Sequence, residues 1–184
     1  MLSRATVRLN LCRAGALALA VVAGGCAIGY RVAPAPGLSS GDSAAITAGV
    51  RQFAQVVARD VTREGPSAWR RHFADVPSFY MAVDGRLAFA DSASATTGIQ
   101  DVARSINQIE LSWGDGMRVD PLAPGLAAFA APYHEVLSYT TGRRVDASGY
   151  FTAVAEYHRD AGGGARWQFR NAHWSSAAAP VPAQ

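Results

Sequence analysis

Two segments near the carboxyl end of the sequence carry side chains capable of acid/base chemistry on predicted strands. The segment from Ala165 to Ser175 alternates with a period of two, which places on one face Trp167, Phe169, Asn171, His173 and Ser175. Two aromatic residues followed by an amide, an imidazole and a hydroxyl are typical of a pocket wall. Because imidazole titrates near neutral pH, His173 is a candidate acid, base or hydrogen-bond donor. The alternative is a structural histidine bonded to the backbone at the end of the sheet.

A longer predicted strand, from Leu126 to Tyr139, supplies a carboxyl group and a phenol. Its alternation places on one face Phe129, Tyr133, Glu135 and Leu137. If that face is the inner one, burial would raise the pKa of Glu135, and Tyr133 could hold an oxyanion beside it. We therefore predict Glu135, His173 and Tyr133 as catalytic candidates. The alternative for Glu135 is a solvent-facing carboxylate paired with Arg143 or Arg144, since exposed glutamate is the common case.

Large aromatic side chains are the candidate walls of a ligand pocket. The predicted ligand-binding set comprises Trp69, Phe73, Tyr80, Trp113, Tyr133, Trp167, Phe169 and His173. Tryptophan and tyrosine combine an apolar ring with a polar group, which suits a pocket wall. Ordinary core packing is the alternative, above all for Phe73.

Three helices precede most of the strands in the predicted order. A first helix is predicted from about Ser43 to Thr62 with Asp42 or Ser43 as its cap, because apolar residues follow a three-to-four spacing. A short second helix starts at Pro66. Asp84-Gly85 predicts a hairpin within 79–90. A third helix follows, with Thr97 and Gln100 as a possible capping box.

After Asn107 the sequence indicates a meander of strands. Predicted strands cover 109–113, 117–119, 126–139, 150–158 and 165–175, separated by glycine and proline turns. Helices first and antiparallel strands afterwards indicate an α+β fold. The sequence does not decide which face of the strands 126–139 and 150–158 lines a pocket.

The closing strands resemble the nuclear transport factor 2-like superfamily, in particular its SnoaL-like members and a bacterial branch of unknown function. The resemblance rests on Gly149-Tyr150-Phe151-Thr152, on Arg159-Asp160 with its glycine turn, on Trp167, and on His173-Trp174-Ser175. It implies a cone-shaped barrel, in which a strongly curved antiparallel sheet wraps around three N-terminal helices and leaves a pocket. It also implies a possible homodimer through the outer sheet face. Members include isomerases, dehydratases and polyketide cyclases, besides domains without known activity, so the fold does not decide the function.

The amino-terminal segment is typical of an export signal. Residues 1–26 contain a basic region and a short apolar run that ends at Ala23-Gly24-Gly25-Cys26. We predict a lipoprotein signal with lipidation at Cys26, and an ordinary signal peptide is the alternative. Residues 27–41 are predicted as a flexible linker, 42–176 as the domain and 177–184 as a disordered tail. The predicted location is the periplasmic side of a bacterial membrane, with a soluble periplasmic or secreted protein as the alternative.

Composition excludes several classes of function. The formal net charge of +3 arises from Arg4, Arg8 and Arg13 in the signal, so the remaining chain is balanced and has no signature of nucleic-acid binding. The chain contains no lysine, which excludes a phosphate-binding P-loop lysine and a Schiff base. Four scattered histidines show no metal-ligand spacing, so we expect neither metal nor cofactor.

We therefore expect an exported domain that binds a small apolar or amphipathic molecule or acts as an assembly module. The alternative is a cofactor-free acid/base enzyme of the isomerase, dehydratase or cyclase type.

Overall fold

The computed structural model describes residues 37–159 and 164–177. The predicted signal, the lipidation of Cys26, the linker as far as residue 36 and the tail from residue 178 lie outside the described residues. Within the described part of the chain, no helix has both the length and the hydropathy that crossing a membrane requires.

The first helix, α1 (Ser40–Glu64), begins earlier than the predicted Ser43. Ser39 is the true cap, because its hydroxyl accepts the amide of Asp42 at 3.1 Å while the Asp42 carboxylate accepts the amide of Ser39 at 3.3 Å. The predicted linker is therefore too long at its carboxyl end, and Leu38 already lies in the core. The apolar stripe predicted for this helix is confirmed, since it is buried at Ile46, Val50, Phe53, Val57 and Val61.

Two short helical segments and a third helix follow. A single 3₁₀ turn (Pro66–Ala68) leads into α2 (Trp69–His72), and α3 covers Ser92–Ser105. The predicted start of α3 at Thr97 is wrong. Asp91 forms an earlier capping box, in which its carboxylate accepts the amide of Ser94 at 2.7 Å. Backbone at Ile106 is already extended, so the meander of strands begins at this residue and not after Asn107 as predicted.

The described part of the chain contains seven strands, which form one curved, unclosed sheet. They are β1 (Tyr80–Val83), β2 (Arg86–Phe89), β3 (Ile106–Trp113), β4 (Arg118–Ala123), β5 (Leu126–Tyr139), β6 (Arg144–Arg159) and β7 (Ala165–Ser176). Their order is β2-β1-β7-β6-β5-β3, and β4 also pairs with β5. The α+β class is confirmed. Two details of the prediction are wrong: β1 runs parallel to β7, and the end strands are not joined into a barrel.

The predicted hairpin between β1 and β2 is confirmed. Both turn residues have positive φ, 47° at Asp84 and 76° at Gly85, as the tight turn of a hairpin requires. The Asp84 carboxylate also accepts hydrogen bonds from the amide and the hydroxyl of Ser176, at 2.6 and 3.1 Å. These bonds connect the turn to the end of β7. Asp84 is thus a turn residue, as predicted.

The core lies against one face of this sheet, which we call the inner face. Its centre is an aromatic cluster of Phe129, Phe151 and Phe169, with ring centroids 5.1 to 6.0 Å apart. From α1, Phe53 packs on Phe169 at 4.8 Å. These rings fill the space beneath α1, and the cavity described next lies beside α2 and α3.

Candidate ligand-binding site

A cavity of about 220 Å³ opens beside the aromatic core. It is lined by Pro66, Trp69, Phe73, Met81, Val83, Phe89, Ile99, Val102, Ile106, Ile109, Glu135, Leu137 and Trp174. Of the described residues that line the cavity, twelve are apolar and Glu135 is the one with an ionisable group. Val102 both lines the cavity and is 38% exposed, so this residue lies at the boundary between the cavity and solvent.

One wall is aromatic and comes from α2 and β7. Trp69 is the first residue of α2 and Phe73 directly follows its last residue, and their rings stack at 5.4 Å with an interplanar angle of 21°. Trp174 meets Trp69 edge to face at 5.3 Å. The structure thus places two predicted pocket residues, Trp69 and Phe73, in one wall. Trp174 was absent from the predicted set.

The opposite wall comes from the hairpin and α3. Phe89 of β2 packs directly on the backbone of α3 at Gly98, where an added Cβ would lie only 2.3 Å from the Phe89 ring. This contact is possible because glycine has no side chain. It keeps the Phe89 ring against the helix, and the neighbouring Ile99 and Val102 face the cavity.

Glu135 reaches the cavity because β5 alternates as predicted. Its inner-face residues include Phe129 and Tyr133, both buried, with Glu135 following two positions later. Burial raises the pKa of Glu135 to about 7, and the neighbouring charge of His134 opposes that rise only in part.

The solvent-facing alternative for Glu135 is wrong. Arg144 pairs with Glu110 at 3.2 Å, and the Arg143 guanidinium lies 4.2 Å from the centre of the Tyr139 ring. Within residues 37–159 and 164–177, Glu135 makes no hydrogen bond and no ion pair. Its carboxyl group therefore enters the cavity without a protein partner.

Tyr133 shares the inner face with Glu135 but does not line the cavity. Its ring packs on Trp174 at 4.6 Å and is almost fully buried. Burial raises the pKa of Tyr133, and hydrogen bonding to Ser176 and Trp174 opposes the rise. The Tyr133 phenol therefore forms hydrogen bonds with Ser176 and Trp174 at the end of β7.

The predicted position of His173 is wrong, because β7 contains a β-bulge. Phe169 pairs with Ala155 whereas Asn171 pairs with the adjacent Val154, so Arg170 is an extra residue. Beyond the bulge the alternation reverses, and His173 becomes exposed on the outer face. The aromatic Trp174 takes the inner position instead. His173 therefore does not meet Glu135 in the cavity.

The remaining predicted pocket residues also lie outside the cavity. Tyr80 is 48% exposed on the outer face, next to Asn171. Phe169 is fully buried core. Trp113 donates its indole N–H to the carbonyl of Ala54 at 2.7 Å, and its ring packs on the aromatic core. Trp167 packs on Tyr157 at 5.3 Å.

A cluster of polar side chains that was not predicted from the sequence connects α1 to α2. The buried Asp60 carboxylate lies 3.0 Å from an Arg71 nitrogen and 3.3 Å from His72 Nε2. Burial of Asp60 favours a higher pKa, but hydrogen bonding to Arg71 and nearby positive charge give a net lowering. Burial, helped by the Arg71 charge, lowers the pKa of His72 to about 4. The cluster thus pairs a carboxylate with a neutral imidazole, and neither residue lines the cavity.

The described residues contain no group of three or more histidine, cysteine or acidic side chains placed to bind a metal ion.

Comparison with known proteins gives structural relatives only. No protein-family model and no curated protein sequence matches this chain. Among solved structures, a nuclear transport factor 2-like superfamily protein from Salmonella enterica is 12% identical with a TM-score of 0.56, over 79% of this chain and 97% of that one. A ketosteroid isomerase-like protein from Erwinia carotovora is 14% identical with a TM-score of 0.54, over 72% and 97%. The resemblance inferred from the sequence is therefore confirmed at the level of fold: this chain has the fold of the nuclear transport factor 2-like superfamily.

Proposed function

We propose that this domain binds a small, largely apolar molecule with one polar group. The observation that carries the proposal is the composition of the cavity wall, which is apolar except for the carboxyl group of Glu135. Apolar surface supplies the affinity of such sites, and a single placed polar group orients the ligand.

The size of the cavity sets the size of the occupant. A protein cavity of about 150 Å³ holds benzene. The cavity here measures about 220 Å³, which suits one ring with a substituent or a compact bicyclic molecule. A longer molecule would project past Val102 into solvent.

An acid/base enzyme is the second candidate. Its support is the pKa of Glu135, about 7, which would allow the carboxyl group to exchange a proton near neutral pH. The ketosteroid isomerase-like relative has the same fold. Isomerisation through an enolate also needs a group that stabilises the oxyanion, and the predicted partners Tyr133 and His173 do not line the cavity. Binding is therefore the better-supported function.

A ligand screen by native mass spectrometry, followed by calorimetry on the hits, tests binding. We expect Val102→Trp, which fills the mouth of the cavity, to abolish binding. The matched control Leu122→Trp alters a similarly exposed residue of β4, at 42%, and should leave binding intact. Equal binding by both variants would place the ligand elsewhere and contradict the proposal.

Export and assembly remain part of the proposal. The amino-terminal sequence supports a lipid anchor at Cys26 on the periplasmic side of a bacterial membrane. Mass spectrometry of the membrane fraction should find a diacylglyceryl group on Cys26, and a mature amino terminus elsewhere would refute the anchor.

The resemblance supports a cone-shaped arrangement of sheet and helices and a homodimer through the outer sheet face. Sedimentation measurements would test the dimer.

A further inference from the structure

Among the buried or partly buried carboxylates of the described residues, Glu135 is the one that has neither a cationic partner nor a hydrogen bond. Asp60 lies against Arg71, and Glu156 pairs with Arg170 at 2.8 Å. For Glu135, no such cation lies within ion-pair distance in the described residues. A buried charge is normally paired, because removing an ion from water without compensation is costly.

The elements around the cavity offer no hidden counter-ion. None of their other charged or titratable groups lines the cavity. On α3, Asp101 and Arg104 pair with each other, and on β6, Asp146 pairs with His134 at 2.8 Å. The remaining titratable groups on the surrounding elements are Arg70, Arg71 and His72 of α2, Tyr80, Asp84 and Arg86 of the hairpin, Glu110 of β3, Tyr133 and Tyr139 of β5, Arg144, Tyr150, Glu156, Tyr157, His158 and Arg159 of β6, and Arg166, Arg170 and His173 of β7.

We infer that the molecule bound in this cavity carries a protonated amine on an apolar ring or short chain, and that its ammonium group pairs with the Glu135 carboxylate. This inference rests on the proposed binding function and names the chemical class of the ligand. The apolar wall takes the ring, and the unpaired carboxylate takes the cation. Anionic ligands such as carboxylic acids are disfavoured, because two like charges would share one apolar site.

The inference makes opposite predictions for amines and alcohols as the pH changes. With a pKa of about 7, the Glu135 carboxyl group is mostly protonated at pH 5.5 and mostly ionised at pH 8. An ammonium ligand needs the ionised form, so its affinity should be about thirtyfold lower at pH 5.5 than at pH 8. A neutral alcohol buries the carboxyl group further without supplying charge. It favours the protonated form and should bind at least as well at pH 5.5.

A matched set of bicyclic probes separates these cases: 2-aminoindane, 2-indanol and indane-2-carboxylic acid. Their affinities for the full chain are measured by isothermal titration calorimetry at both pH values. At pH 8 we expect the amine to bind about tenfold or more tightly than the alcohol, and the acid to bind most weakly. Glu135→Gln should remove the preference for the amine and retain alcohol binding. The control Glu110→Gln, on the neighbouring strand, should retain the preference.

The outcomes distinguish this inference from the proposed function. If the alcohol or the acid binds as tightly as the amine at pH 8, the inference is overturned and the binding function stands. If none of the three probes binds, both are overturned. The ratio of amine to alcohol affinity in the unaltered protein decides the question even if Glu135→Gln fails to fold.

Discussion

The unpaired carboxyl group of Glu135 should make the stability of this domain fall as the pH rises. The pKa of Glu135 is about 7 in the folded protein, against an ordinary value of 4.5. Between these two values the folded state holds the proton more tightly than the unfolded chain, so the free energy of unfolding decreases with pH. Below pH 4.5 both states are protonated, and above pH 7 both are ionised, so the effect is confined to this window.

The size of the effect follows from the shift in pKa. One unit corresponds to about 1.4 kcal/mol, so the shift from 4.5 to about 7 gives at most about 3.5 kcal/mol for the whole window. Between pH 5 and pH 8 the expected loss is about 2.5 kcal/mol, or less where solvent reaches the carboxyl group. Glu135→Gln keeps the shape of the side chain and removes the charge. The stability advantage of the variant over the parent should therefore grow by about this amount between pH 5 and pH 8.

Urea unfolding of the full chain, followed by circular dichroism at both pH values, measures this difference. Other titrating groups contribute equally to parent and variant, so they cancel in the comparison. Glu110→Gln is the matched control, because Glu110 lies on the adjacent strand with a side chain 45% exposed and paired with Arg144. If the difference between parent and Glu135→Gln is the same at pH 5 and pH 8, the carboxyl group titrates normally and the electrostatic argument is refuted.

Three further substitutions test the site and its scaffold. Gly98→Ala places a Cβ 2.3 Å from the Phe89 ring, so the ring must move. Calorimetry should then show weaker binding of 2-indanol. An unchanged affinity would mean that this contact does not set the size of the cavity. Ser39→Ala removes the cap of α1 and should lower the free energy of unfolding, measured in urea, by about 1 kcal/mol. An unchanged free energy of unfolding would show that the first turn of the helix frays at no cost to stability. Asp60→Asn breaks the buried pair with Arg71 and should cost about 2 kcal/mol at pH 7. An unchanged free energy of unfolding in Asp60→Asn would mean that solvent replaces the ion pair at no cost to stability.

Much of the fold was predictable from local patterns in the sequence. The spacing of Val50, Phe53 and Val57 identified the buried face of α1, and Asp84-Gly85 identified the hairpin. The alternation of β5 put Glu135 and Tyr133 on one face, which the structure confirms. These signals are local, because each depends only on helical spacing, strand alternation or the chemistry of a tight turn.

The errors arose where pairing between distant segments decides the outcome. Alternation in β7 predicted that His173 and Phe169 share a face, but the bulge at Arg170 shifts the register against β6 and reverses every later side chain. Burial of Trp174, the larger apolar residue, in place of His173 is the signal that favours the shifted register. The cluster of Asp60 and His72 was missed for a similar reason, since it depends on how α2 packs on α1.

The position of Glu135 is more readily explained by ligand binding than by stability. Its neighbours on the inner face, Tyr133 and Leu137, are apolar or aromatic, and an apolar residue at position 135 would continue that surface. An ionised carboxyl group there lowers the stability of the empty domain at neutral pH and above. Departures from local stability rules are expected where a residue contacts a ligand, because the ligand supplies the missing partner. A bound amine should therefore restore the stability lost at pH 8, and a bound alcohol should restore much less of it.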